Sequence, residues 1–147
     1  MGTEHMRLLL DTHVVMWLAQ QPERVPAAAR EVLEAAEERL ISAVSAYEIA
    51  YKARLGKLPH GQALLAGWRP LCTALLAGER AVEVPEMIQA GGLNWEHRDP
   101  FDRMLVAQAQ LGGLTLMTAD ARIRAYTDVR TVWADGTGED LLMSTDR

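Results

Sequence analysis

The sequence predicts an α/β fold: a three-layer α/β/α sandwich around a central, mainly parallel sheet of about four to five short strands. Short apolar runs alternate along the chain with longer segments in which apolar residues recur at helical spacing. The clearest run, residues 7–11, contains three consecutive leucines, which is typical of a strand covered on both faces. Strands that alternate with helices are joined by right-handed crossovers into a parallel sheet, and a chain of 147 residues favours one domain.

The helices are bounded by proline and glycine signals. Pro22 ends the first helix, Pro26 opens the second, and Gly56 stops the third. Pro70 is expected to kink the next helical stretch, and Gly78 to end it. The predicted strands are 7–11, 40–42, 81–84, 114–118 and 129–133. The predicted helices are 14–20, 26–39, 44–55, 62–77, a turn beginning at Pro85, 100–111 and 120–126.

The domain organisation is simple, with a single domain over residues 6–133. Residues 1–5 are interpreted as a tag or a disordered start, and residues 134–147 as a loose polar tail. No apolar run reaches the ~20 residues that a membrane-spanning helix needs, and no secretory signal is present. The single cysteine, Cys72, cannot form an internal disulfide, which fits a reducing compartment. We therefore expect a cytoplasmic protein with no membrane partner.

The formal net charge of −5 is unusual for a protein that binds nucleic acid, because phosphate contacts need lysine and arginine. Two explanations are open. Either the negative charge is concentrated in a metal site that cations neutralise, or the substrate is not a nucleic acid. A basic rim for such a site is available from Lys52, Arg54, Lys57, Arg98 and Arg103.

Five carboxylates stand at positions that permit function, and each also has a structural explanation. Asp11 and Asp120 come just after predicted strands, and either can cap the helix that follows. Glu48 borders the inward stripe of its helix, but it can also pair with a lysine one turn later. Asp99 precedes a proline at a helix start and is a natural N-cap, and Asp102 stands where a capping box has its carboxylate.

The shared location of these acids is more informative than any one of them. In parallel sheets, sites lie at the carboxyl ends of the strands, and acids that converge there without matching bases raise one another's pKa. A divalent cation is the usual resolution, and an all-oxygen ligand set suits Mg²⁺ or Mn²⁺. Zinc is disfavoured, because Cys72 stands alone and the histidines are scattered. The chain has no glycine-rich phosphate loop, which argues against nucleoside-triphosphate chemistry.

Four segments, in this order, resemble the PIN-domain family, and in particular the VapC-type ribonuclease toxins of type II toxin–antitoxin systems. They are LLLDTHVVMWL (8–18), ISAVSAYEIAYKARLGKL (41–58), HRDPFDRMLVAQA (97–109) and LTLMTADARIRAY (114–126). Together they cover most of residues 6–133, and HRDPFDRMLVAQA is the most specific. One departure is Tyr47, at a position where this family often has tryptophan.

The resemblance implies a PIN-like fold and endonucleolytic cleavage of RNA with Mg²⁺, for which Mn²⁺ can substitute. It implies a metal site, which is also the catalytic site, formed by Asp11, Glu48, Asp102 and Asp120. Thr118 would orient a carboxylate or water there. A cognate antitoxin and a homodimer are implied as well. The dimer could use Val14, Trp17 and Leu18 as its surface, although a place in the core suits most of them better.

Within that site, we expect Asp11 to be the central ligand and Asp120 the outermost member. Glu48 and Asp102 would complete the shell directly or through water. Arg103 could contact phosphate or form a surface salt bridge. His97 could assist with RNA, but the favoured expectation is a solvent-exposed structural residue.

Three other interpretations compete with a toxin ribonuclease. A housekeeping PIN-like nuclease would process RNA or cut DNA flaps with the same acids. A non-catalytic module would use the acid pocket to hold a basic peptide. A phosphatase of the haloacid-dehalogenase type needs a second aspartate two residues after the first; this chain has His13 there, which counts against a phosphatase.

Overall fold

The computed structural model describes residues 5–134, and they are built around a five-stranded parallel sheet. The strands lie in the order β3-β2-β1-β4-β5 and all pair in parallel, so the predicted α/β architecture is confirmed. The strands are β1 (Arg7–Leu10), β2 (Glu38–Ser42), β3 (Gly78–Arg80), β4 (Thr115–Met117) and β5 (Thr131–Val132). The helices are α1 (Thr12–Gln20), α2 (Ala27–Ala35), α3 (Ala43–Arg54), α4 (Gly61–Ala66), α5 (Trp68–Ala74), α6 (Val84–Gly92), α7 (Pro100–Gly112) and α8 (Ala121–Arg124), with a 3₁₀ turn at Pro22–Arg24.

The expectations for the two chain ends are not addressed by residues 5–134. The proposed tag or disordered start and the proposed polar tail fall almost entirely on residues 1–4 and 135–147, which lie outside the described residues. Within residues 5–134, the helices are all too short or too polar to cross a membrane.

The three leucines of β1 supply both cores of the sandwich. Leu8, Leu9 and Leu10 are each fully buried, and successive strand residues point to opposite faces. Leu8 and Leu10 pack into one apolar cluster, on the side of α1 and α2, whereas Leu9 packs into the other, on the side of α3 and α7. A strand of this kind needs an unbroken apolar run, which is why the sequence pattern identifies it.

The residues suggested for a dimer surface pack mainly into the core on the side of α1 and α2. Val14 is fully buried within the cluster. Trp17 and Leu18 are partly buried and pack against it. The ring of Trp17 lies 6.1 Å from that of Trp133, and the guanidinium of Arg24 lies 4.4 Å above it. The sequence prediction that these residues belong mostly to the core is confirmed.

The predicted helix over 26–39 is too long, because its last residues are extended. α2 ends at Ala35, and Ala36 has a ψ of 145°. The Glu37 amide donates to the Met6 carbonyl at 2.8 Å, and Glu38 then pairs with Arg7 in the parallel β1–β2 register. The side chains of Arg7 and Glu38 also form an ion pair at 2.8 Å. Pairing with β1 thus overrides the helix propensity of this charged segment.

The segment between α3 and α6 differs more from prediction. The predicted kink at Pro70 is instead a break at Gly67, which separates α4 from α5. Pro70 lies in the first turn of α5, where no partner is needed for its missing N–H. Gly78 does not follow the helix as its stop but begins β3, pairing with Leu40, so the strand predicted at 81–84 is three residues too late.

A buried polar network joins β2, β3, α6 and α7. Gln108 is fully buried; its Oε1 accepts from Ser42 Oγ at 2.6 Å and its Nε2 donates to Glu86 Oε1 at 2.9 Å. Arg80 Nη2 donates to the other oxygen of Glu86 at 2.7 Å. Because buried polar groups need partners, this network fixes how α7 lies against the sheet, and α7 carries part of the site.

The end of α7 gives a test of this fold. Gly113 has a φ of 65°, a left-handed conformation that disfavours other residues, whereas Gly91 lies within α6 with open space at its Cβ position. Gly113→Ala should lower the free energy of unfolding by about 1 kcal/mol. The matched change Gly91→Ala should be neutral or stabilise by up to about 1 kcal/mol. Urea denaturation of both variants checks this, and equal midpoints would contradict the assigned helix end.

Candidate active site

The site is organised around Asp11, which directly follows β1 at the carboxyl end of the sheet. The Asp11 amide continues the sheet by donating to the Met117 carbonyl at 3.0 Å. Its Oδ1 accepts from the Thr12 amide at 2.7 Å and caps α1, and its Oδ2 accepts from Thr118 Oγ1 at 2.6 Å. Thr118 directly follows β4, so one hydrogen bond joins the ends of two neighbouring strands. Asp11 is 2% exposed, and these hydrogen bonds fix the orientation of its side chain.

Burial disfavours the ionised form of the Asp11 carboxyl. Desolvation raises the pKa of its carboxyl from 3.8 to about 7, against the lowering effect of the Thr118 and Thr12 hydrogen bonds. The charges of Glu48 and Asp120 raise this pKa further. Two of the other three predicted acids therefore act electrostatically on Asp11.

Glu48 reaches the site from α3, the helix that follows β2. It is buried, and its Oε2 accepts from Lys52 Nζ at 2.5 Å, so the predicted pairing with the next helical turn is present. Its Oε1 is buried too, and it has no hydrogen-bond partner among the residues that the structure describes. α3 is fixed against α1 by a 2.8 Å hydrogen bond between the hydroxyls of Ser45 and Thr12.

Asp102 lies in the first turn of α7 and forms a hydrogen bond with a histidine. The His97 Nε2 and Asp102 Oδ2 atoms are 2.6 Å apart. Burial raises the pKa of Asp102 from 3.8 to about 6; the His97 hydrogen bond opposes this, and the charges of Asp11 and Asp99 add to it. The expectation that His97 is exposed is wrong: it is buried, and its ring meets Trp95 edge-on.

Asp99 and Asp120 are both helix caps. Asp99 Oδ1 accepts from the Phe101 and Asp102 amides at 2.9 and 3.1 Å, which confirms the predicted cap of α7. Asp120 Oδ1 accepts from two amides of α8, and its own amide donates to Thr118 Oγ1 at 3.0 Å. Through Thr118, the backbone of Asp120 is linked to the carboxylate of Asp11.

His13 is a member of this site that the sequence reasoning missed. Its Nδ1 lies 3.3 Å from Asp11 Oδ2, and its Nε2 accepts from the Ala119 amide at 3.2 Å. Burial lowers the pKa of His13, although the charges of Asp120, Asp102 and Glu48 oppose the shift. An accepting Nε2 places the proton of the neutral ring on Nδ1, facing Asp11. Its position two residues after Asp11 was the only available signal.

The donor chemistry of this cluster fits a hard divalent ion, but the side chains are partly engaged with one another. All four acids supply oxygen, and Glu48 Oε1 is an unpartnered buried acceptor of the kind that a cation would satisfy. Within residues 5–134, however, no three acidic, histidine or cysteine side chains are arranged so that they could hold one ion together. Lys52 and His97 each take one oxygen that an ion would need.

Comparison with known sequences settles the family. The sequence pattern described as the PIN domain matches residues 8–129, most of the 147-residue chain. The chain belongs to the PIN-domain family. It is also 30% identical over 131 residues to ribonuclease VapC22 of Mycobacterium tuberculosis, an alignment that covers 86% of this chain and 98% of the relative.

Known structures agree with this PIN fold. The chain resembles VapBC2 from Rickettsia felis bound to a DNA fragment from their promoter, with a TM-score of 0.63 at 12% identity, covering 88% of this chain and 100% of that one. It also resembles DNA-bound VapBC from Salmonella typhimurium, with a TM-score of 0.65 at 19% identity, covering 86% and 96% of the two chains. At these identities, the likeness confirms the fold.

The basic rim of this PIN domain is smaller than the sequence suggested, because Arg103 is not part of it. Its Nε donates to the Ala90 carbonyl, its Nη1 to the carbonyls of Trp95 and His97, and its Nη2 to that of Leu93, all within 2.8–2.9 Å. The guanidinium thus holds the loop before α7 through backbone carbonyls, and within residues 5–134 it does not form the salt bridge considered for it. Lys52, Arg54, Lys57 and Arg98 keep at least partial exposure.

The raised pKa of Asp11 predicts how stability depends on pH in the metal-free protein. Between about pH 4 and about pH 7 the folded state holds a proton that the unfolded chain has lost, so stability falls as pH rises through this window. Asp11→Asn removes the penalty, and above about pH 7 the variant should exceed the parent by about 1 kcal/mol or more, since one pKa unit is worth about 1.4 kcal/mol.

Thermal and urea unfolding across this pH range in EDTA measure the difference. Asp99→Asn is the charge-matched control, because asparagine caps a helix as well as aspartate does. Parallel profiles for the parent and Asp11→Asn would show that the buried carboxylate does not carry the pH dependence.

Proposed function

We propose that this PIN domain is an endoribonuclease that depends on Mg²⁺, with Mn²⁺ as a substitute, and that it is the toxin of a toxin–antitoxin pair. The observation that carries the proposal is the convergence on Asp11: its carboxylate is buried at the strand end and feels the charges of Glu48 and Asp120, and it raises the pKa of Asp102 in turn. A relative named a VapC ribonuclease and fold neighbours crystallised as VapBC complexes support the same function.

The residues that would hold the ion are Asp11, Glu48, Asp102 and, outermost, Asp120. A bound divalent ion activates water and offsets charge on the scissile phosphate near neutral pH. The chain itself fixes the acids: Thr118 and the Thr12 amide hold both oxygens of Asp11. Lys52 donates to one oxygen of Glu48, and His97 is hydrogen-bonded to one oxygen of Asp102, so that each buried carboxylate has a partner in the protein alone. If a divalent ion bound, its bonds to Glu48 and Asp102 would replace the contacts with Lys52 and His97.

RNA cleavage by purified protein tests the proposal. Asp11→Asn and Asp102→Asn should each lower the rate by orders of magnitude, because both remove a carboxylate from the cluster. Asp99→Asn should cleave at nearly the parent rate, because its role is to cap α7. EDTA should abolish cleavage, and added Mg²⁺ or Mn²⁺ should restore it.

Single-stranded RNA and DNA are assayed side by side in this experiment. Cleavage of DNA alone would indicate a different nuclease, and binding of basic peptides without any cleavage would indicate a non-catalytic acid pocket. Loss of activity in Asp99→Asn, with retention in Asp102→Asn, would show that the roles of these two residues are exchanged.

The proposed partner is a small antitoxin that acts with this chain in the cytoplasm, where a free ribonuclease would harm the cell. An arginine of that partner is a suitable occupant of the site, since its planar guanidinium binds carboxylates through two hydrogen bonds. It would compete with the ion for Asp11 and Glu48. We also propose that the chain forms a homodimer, using surfaces other than the buried Val14.

Co-expression with the small protein encoded beside this chain tests the partner. We expect the two to co-purify through a tag on either one, and RNA cleavage to be suppressed in the complex. Replacement of the inhibitory arginine by lysine should restore cleavage, because a lysine lacks the two-pronged geometry. Failure to co-purify, together with harmless expression of the chain alone, would favour a housekeeping nuclease.

A further inference from the structure

An exposed aromatic cluster lies beside the acids. The rings of Tyr47 and Tyr51 on α3 are stacked with centroids 6.1 Å apart, and Phe101 on α7 lies 5.9 Å from Tyr47 and 6.0 Å from Tyr51. Tyr47 is 64% exposed, so one side of this cluster is open to solvent. The three rings line an open groove of about 720 Å³, together with Val82, Met87 and Met104.

This groove and the acid cluster share residues of the same two helices. Tyr47 directly precedes Glu48 on α3, and Phe101 directly precedes Asp102 on α7. Lys52 stands between the two features: its Nζ donates to Glu48 and lies 5.9 Å from the centre of the Phe101 ring. Whatever occupies the groove is therefore next to the proposed site of cleavage.

Two cations of α3, Lys52 and Arg54, lie near these rings. The guanidinium of Arg54 lies 5.5 Å from the centre of the Tyr51 ring, and Lys57 is exposed just beyond the end of α3. Cations interleaved with accessible rings are typical of surfaces that bind single-stranded nucleic acid, where bases stack on the rings and phosphates meet the cations. An apolar protein surface laid over the same groove would instead desolvate Arg54 without supplying an anion.

We propose that Tyr47, Tyr51 and Phe101 form a stacking platform for an unpaired base of the RNA substrate, and that Arg54 pairs with an adjoining phosphate. The proposal rests on the proposed ribonuclease function and deepens it. The platform selects unpaired RNA, because a base within a duplex cannot stack on a protein ring without first leaving its helix. It holds the strand beside the acids and tolerates different bases, because every base has a face that stacks.

Binding of short RNA separates the platform from the catalytic residues. All variants carry Asp11→Asn, so that the probe is not cut, and the probes are fluorescein-labelled oligoadenylate and oligouridylate, followed by fluorescence anisotropy. Tyr47→Ala should weaken binding by about tenfold or more, and Tyr47→Trp should preserve it, since stacking on one ring is worth about 1–3 kcal/mol, or roughly 5- to 150-fold. Leu111→Ala is the control: this exposed apolar residue lies ten positions after Phe101 on α7, about 15 Å along the helix, and should not change the affinity.

Salt dependence tests the proposed phosphate contact. Arg54→Gln should lower the slope of log affinity against log salt by about 0.7, the value for one phosphate contact on a single strand. An unchanged slope would remove Arg54 from the proposal.

The alternative occupants give different results. Equal affinity of Tyr47→Ala and its parent for both probes would overturn the platform. If that variant also sediments as a smaller species, or no longer co-purifies with the small partner protein, the groove is an interface for a second copy or for that protein. If the parent binds no RNA and the protein with Asp11 intact cuts none, the ribonuclease function itself fails, which is a distinct outcome.

Discussion

The structure depends on keeping a carboxylate buried at the end of its central strand. Asp11 is 2% exposed, and water cannot stabilise its charge. The chain compensates locally, with a hydroxyl from the end of β4 and an amide from the start of α1. These contacts fix where β1 ends, where α1 begins and how β4 is placed beside it. These contacts offset only part of the cost of burial, since the pKa of Asp11 is still raised to about 7.

The neighbouring acids instead have side-chain partners in their own surroundings. Lys52 balances Glu48 from one helical turn away, and His97 contacts Asp102 from the loop before α7. That loop is held in turn by Arg103, whose nitrogens are all bound to backbone carbonyls. Asp11, Asp99 and Asp120 are bound only by amides and a hydroxyl in these hydrogen bonds, so the negative charge of the region is offset only in part.

The sequence predicts those features of the fold that depend on neighbouring residues in the chain. The leucine run of β1, the Asp99–Pro100 start of α7 and the acids after β1 and β4 were all predicted, because strand burial, capping and strand-end placement leave local traces. The end of α2 and the start of β3 could not be predicted, since pairing with β1 and β2 decides them. Arg103 and His97 were misjudged for the same reason: their partners are carbonyls and a carboxylate that only the folded loop brings near.

The leucines of β1, which face alternate sides of the sheet, also determine how the domain unfolds. Leu9 belongs to one apolar cluster and its two neighbours to the other, and β2 and β4 pair with β1 along both edges. Neither helical layer can detach without exposing side chains of this strand. The amide protons of β1 are consequently accessible to solvent exchange only when both layers open together, so their exchange reports the cooperative unfolding of the whole domain rather than local fraying.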